Sequence, residues 1–69
     1  MKEEVKTMIE NNILMAEKAI EEEKNLLSLE TSFENMMKRR IAIEKWRGYS
    51  EALKRILEEL GKEGKNENR

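Results

Sequence analysis

Cysteine, histidine and proline are all absent from this sequence, and each absence closes a class of explanation. Without cysteine no disulfide braces the fold, and without cysteine or histidine the usual zinc and haem ligands are missing. The same two gaps remove Ser-His and Cys-His nucleophile pairs, so the chain reads as non-catalytic. No glycine-rich phosphate loop or calcium loop is present, and no cofactor, metal or small-molecule substrate is expected. No apolar run approaches the roughly 18 residues of a membrane span. The N-terminus, MKEEVK, lacks the apolar core of a signal peptide, so a cytoplasmic location is the expectation. A net charge of −1 offers no overall attraction to nucleic acid or anionic lipid.

What is present favours helix. Glu, Lys, Leu, Met and Ala are abundant, no proline interrupts them, and aromatic residues are only 4% of the chain, which weighs against strands. Sixty-nine residues allow one small domain. Such a domain hides only about 60% of its unfolded surface, so its stability is marginal without a supplement. With disulfides and metals excluded, association with another chain is the supplement that remains. Charged residues make up 42% of the sequence, a level that leans towards disorder, but the apolar residues are periodic and argue for a folded amphipathic protein.

A first apolar stripe runs through Val5, Ile9, Ile13, Ala16, Ile20 and Leu27 in steps typical of one helix face. Met8, Ala19 and Leu26 lie on its shoulder. Extended past Leu27, that stripe falls on Glu30, Glu34, Lys38 and Lys45, all charged. A second stripe starts in a new phase at Met36 and continues through Ile43, Trp46, Leu53, Leu57 and Leu60, flanked by Ala42, Tyr49 and Ile56. The phase slip implies a break, and it disfavours one long helix in a parallel coiled coil. Thr31 and Glu34 form the S/T-x-x-E pattern of a capping box, with Ser32 an alternative cap. The sequence therefore predicts an all-α hairpin over residues 1–60, with helices at about 2–29 and 32–60 and a turn near 30–31. Glycine in GKEG is placed to end the second helix, leaving 61–69 as a flexible polar tail.

Folding back at residue 31 brings together residues whose numbers add to about 62. Ala16 then faces Trp46, Glu23 meets Arg39 and Glu22 meets Arg40. In MMKRRIAIEKWR (36–47), Arg39 thereby becomes half of an inner ion pair. Residues 1–30 hold 4 basic and 8 acidic groups, a net −4, and residues 31–60 hold 7 and 5, a net +2, so the helices attract.

Five apolar residues fall outside both stripes: Leu14, Met15, Leu29, Met37 and Ile41. That surplus, on a hairpin that leaves one side of each stripe uncovered, points to a homodimeric four-helix bundle or to docking on another protein. These five are the candidate partner-binding residues. A second candidate is a basic strip, Lys38, Arg40, Lys45 and Arg47 extended by Lys54 and Arg55, able to meet phosphates or an acidic partner. Glu44, Glu51 and Glu58 interleave with it at spacings suited to intrahelical pairing, which favours a solvated face. The acidic run Glu21-Glu22-Glu23 lacks the histidines of a di-iron bundle and reads as another solvated face.

In architecture the chain resembles the Rop family, plasmid-encoded hairpins that dimerise into antiparallel four-helix bundles and bind paired RNA loops. The resemblance covers length, two helices about a turn near residue 31, and a polar tail; no motif residue carries over. The stretch WRGYSEAL is similar in style to short phage and prophage reading frames, which implies a protein that binds and diverts a host protein. The leading expectation is a non-catalytic regulator or inhibitor that acts by binding a larger protein. A small nucleic-acid-binding regulator is the alternative.

Overall fold

The computed structural model describes the backbone of residues 3–67 and the side chains of residues 3–61. Two helices, α1 (Glu3–Leu29) and α2 (Phe33–Glu67), pack against each other as a hairpin 57 Å long and 12–15 Å across. Glu3 and Glu4 in the first turn of α1 suit the positive end of its dipole. At its other end the Glu30 N–H donates to the Leu27 carbonyl at 3.1 Å, and the Ser28 hydroxyl donates to the Asn25 carbonyl at 2.6 Å. The first of these satisfies a carbonyl of the last turn, which has no partner further along the helix. No glycine is needed to close it.

The cap of α2 is Ser32. Its hydroxyl oxygen accepts the Asn35 N–H at 3.4 Å and its carbonyl accepts the Met36 N–H at 2.9 Å. Thr31 stays in the turn, so the expected Thr31–Glu34 box gives way to the alternative one residue on. Glu34 instead pairs with Lys38 at 3.6 Å along the exposed face. At the far end α2 does not stop at Leu60 but continues to Glu67. No glycine among the described residues adopts the positive φ of a terminating cap, and GKEG is absorbed as helix. The rest of the predicted tail, residues 68 and 69, lies outside the described residues.

Burial defines a single seam between the helices. Ile9, Ile13, Ala16, Ile43 and Ser50 are buried, and Ile20, Leu27, Leu53, Leu57 and Leu60 are half-buried along the same rows. The seam positions of α1 are 9, 13, 16, 20, 23 and 27, and those of α2 are 39, 43, 46, 50, 53 and 57. Both advance by alternating steps of four and three, the spacing of a coiled-coil seam. The two ion pairs between the helices, Glu23–Arg39 and Glu17–Lys54, join residues whose numbers add to 62 and 71, and rows mirrored at the intermediate 66 set Ile9 with Leu57, Ile13 with Leu53 and Ala16 with Ser50. Ala16 and Ser50, at 0% and 3% exposure, are the two most buried of the described residues, and small side chains at these seam positions let the helices approach. The pair nearer the turn, Glu23–Arg39, keeps the sum of 62 read off the fold-back, and the pair further along, Glu17–Lys54, has a larger one.

Three expected core residues are exposed. Val5 sits one position off the row, and Met36 and Trp46, 36% and 40% exposed, lie on a seam that two helices cover from one side only. Gly48 is on the outer face of α2, with open space where a Cβ would be, so close helix approach is not its role.

Candidate interaction surfaces

Because each residue turns roughly 100° around a helix, neighbours before and after a seam residue fall on opposite flanks. In an antiparallel pair the preceding residues of both helices share one side, and the following residues share the other. Preceding residues are Met8, Asn12, Met15, Ala19, Glu22, Leu26 and Leu29 in α1, and Lys38, Ala42, Lys45, Tyr49, Ala52, Ile56 and Glu59 in α2. Following residues are Glu10, Leu14, Glu17, Glu21, Lys24 and Ser28, and Arg40, Glu44, Arg47, Glu51, Lys54 and Glu58. The first side is mostly apolar or small. The second is mostly charged.

Contacts between the helices fix which side is which. On the charged flank the Lys54 ammonium reaches the Glu17 carboxylate across the seam at 3.1 Å, and Arg47 donates to Glu44 at 3.0 Å along α2. On the apolar flank, near the turn, one groove is lined by Glu23 of α1, Glu30 of the turn, and Asn35, Lys38, Arg39 and Ala42 of α2. Within it Arg39 Nη1 donates to both Glu23 carboxylate oxygens, at 3.3 and 3.1 Å, the ion pair expected from the sequence. The pair is partly screened from water and adds on the order of 1 kcal/mol at most. The companion pair, Glu22 with Arg40, does not form: Glu22 is on the apolar flank and Arg40 on the charged one. Further along the apolar flank the rings of Trp46 and Tyr49 meet edge to face, centroids 5.9 Å apart at 79°. With Ala42 and Lys45 they line a shallow apolar groove.

The five candidate partner-binding residues are exposed but do not form one patch. Met15 and Leu29 belong to the apolar flank, and Leu14 stands alone among the charges of the other. Met37 and Ile41 lie on the outward face of α2, where Phe33, 76% exposed, joins them at four-residue steps. Phe33, Met37 and Ile41 make a short outward apolar ridge beside Arg40. Phe33 escaped the sequence reading because it precedes the second stripe, although its spacing to Met37 carried the signal.

The basic strip divides in the same way. Lys38 and Lys45 are on the apolar flank, Arg40, Arg47 and Lys54 on the charged flank, and Arg55 faces outward. Lys38, Arg47 and Lys54 are each held by a carboxylate. No single cationic face results, which corrects the expectation of one strip along α2. Among the described residues no cluster of acidic side chains is placed to hold a metal ion, and no helix is long and apolar enough to cross a membrane.

No family model, curated protein or solved structure matches this chain.

Proposed function

We propose that this chain is a non-catalytic protein-interaction module that dimerises through its apolar flank into a four-helix bundle and regulates or inhibits a larger protein. The continuous apolar flank carries the reading. It leaves Met8, Met15, Leu26, Trp46, Tyr49 and Ile56 exposed on a hairpin that buries four apolar residues among those described. The chain presents 5760 Å² of accessible surface, against about 4500 Å² for a compact monomer of its mass. That excess, about 1200 Å², is comparable to the ~800 Å² each partner hides in a standard interface.

Once the apolar flank is covered by a second copy, the Phe33–Met37–Ile41 ridge is the largest apolar feature left facing outward. Anchors spaced by one turn suit the mode in which a helix lays one face into an apolar groove. Arg40 beside them favours a groove bordered by a carboxylate. Phosphate binding gains no comparable support, since the cations are split between flanks and half of them are paired.

The test uses Phe33→Ser/Met37→Ser/Ile41→Ser beside Lys38→Gln/Arg40→Gln/Lys45→Gln, both checked for helicity and solution mass. The ridge variant is expected to lose capture of a defined protein that the unmodified chain retains, while the Gln variant keeps most of it. Binding to nucleic acid that weakens steeply with salt and disappears in the Gln variant would overturn the reading.

A further inference from the structure

The apolar flank admits two arrangements of a second copy. With both turns at the same end of the bundle, α1 of each chain lies against α2 of the other. With the turns at opposite ends, α1 lies against α1 and α2 against α2. We infer that the bundle forms with both turns at the same end, an inference that rests on the dimer proposed above.

Three observations favour it. First, the apolar flank carries one acidic residue from α1, Glu22, and it lies within one residue of the level of Lys45 of α2 when seam numbers add to 66. Glu22 and Lys45 are both exposed, and neither takes part in any of the ion pairs formed within the chain. In the same-end arrangement Glu22 of each copy meets Lys45 of the other, twice by symmetry. Second, residues 1–30 carry a net −4 and residues 31–60 a net +2. Same-end packing makes every neighbouring helix pair one of unlike charge, whereas opposite-end packing sets the acidic helices side by side. Third, size alternates at matching levels. Met15 is level with Ala52, and Ala19 lies between the levels of Trp46 and Tyr49, so large residues meet small ones across the interface.

This arrangement has a consequence for regulation. Both Phe33–Met37–Ile41 ridges lie at the turn end of one bundle, so the dimer presents two anchors to one target region. Opposite-end packing would separate them by nearly the bundle length. A two-fold target or a repeated groove then gains from simultaneous engagement without any new contact.

The chain has no cysteine, so Thr31→Cys in the exposed turn accepts a single spin label. Same-end packing predicts one label-to-label distance of about 15–25 Å, two or three helix spacings. Opposite-end packing predicts at least ~40 Å, the rise of some 28 residues. The long distance would overturn this inference and leave the dimer standing. A monomeric mass with no dipolar signal would overturn both. A charge swap supplies the second arm. Glu22→Lys and Lys45→Glu should each weaken the dimer about tenfold, and the double variant should recover most of the loss. Additive losses in the double variant would also sink the same-end arrangement.

Discussion

The flank that carries Met8, Met15, Tyr49 and Ile56 and the flank that carries Glu10, Glu17, Arg47 and Lys54 are made by opposite neighbours of the same seam residues. Both border one buried row, both are helical throughout, and both are open to water in the single chain. They differ in what closes them. Charges on the second flank are satisfied by water and by pairs such as Glu17–Lys54, so that side is complete as it stands. Apolar side chains on the first have no such remedy and gain only when another surface covers them. A helix pair that is finished on one side and unfinished on the other carries the direction of its assembly in its surface chemistry.

The strongest way to break the comparison is to remove the seam from which both flanks are measured. Ile13 is buried and belongs to the small set of buried apolar residues. Ile13→Ala should cost about 2–5 kcal/mol. In a fold of marginal stability that loss leaves much of the chain unfolded at ambient temperature, visible as lost helical circular dichroism. The same change at Leu14, one residue on and exposed, should stay within about 0.5 kcal/mol. Equal losses at the two sites would mean that the seam is misplaced.

Leu14 and Met15 sharpen the contrast between the flanks, because they are adjacent and similarly exposed but lean to opposite sides. Met15→Glu puts a carboxylate into the proposed interface from each copy and should weaken dimerisation at least about a hundredfold. Light scattering would then report the monomer mass at concentrations where the unmodified chain is expected to be dimeric. Emission from Trp46, the one tryptophan, should shift to the red as its exposed part returns to water. Leu14→Glu adds the same charge to the other flank and should leave mass and emission unchanged. A matched response would show that the two flanks do not differ in assembly.

Much of this architecture was legible in the sequence because helical periodicity is a local signal. The phase slip between the stripe ending at Leu27 and the one beginning at Met36 locates the turn, and folding back there pairs Glu23 with Arg39, as the structure has them. Capping and level were less legible. Thr31 and Ser32 are equally good caps by chemistry, and the choice of Ser32 shifts where α2 opens. Opposing levels depend on how Ala16 and Ser50 nest, which is a tertiary fact that no stripe displays. The basic strip misled because cations close in number fall on opposite flanks once the seam is known: Lys38 and Arg40 are two residues apart and face different ways. The surplus apolar residues were recognisable as a set, but only the seam position separates Met15 from Leu14 and joins Phe33 to Met37 and Ile41. The extension of α2 through GKEG had no sequence signal, since glycine there reads as a stop.

The smallest expected effect concerns the charged flank itself. Glu17 and Lys54 meet at 3.1 Å, yet both are about half exposed, and exposed pairs typically couple by about 0.2–1 kcal/mol. A double-mutant cycle with Glu17→Gln and Lys54→Gln should give a coupling energy in the lower half of that range. Half a molar salt should erase most of it, since the Debye length falls to about 4 Å there. Dimer mass should not change in any corner of the cycle. That last readout bears directly on the comparison. A pair that closes a finished surface can be removed at little cost and without altering assembly. If removing Glu17 instead weakens the dimer, the charged flank is also an interface, and the hairpin has two unfinished sides.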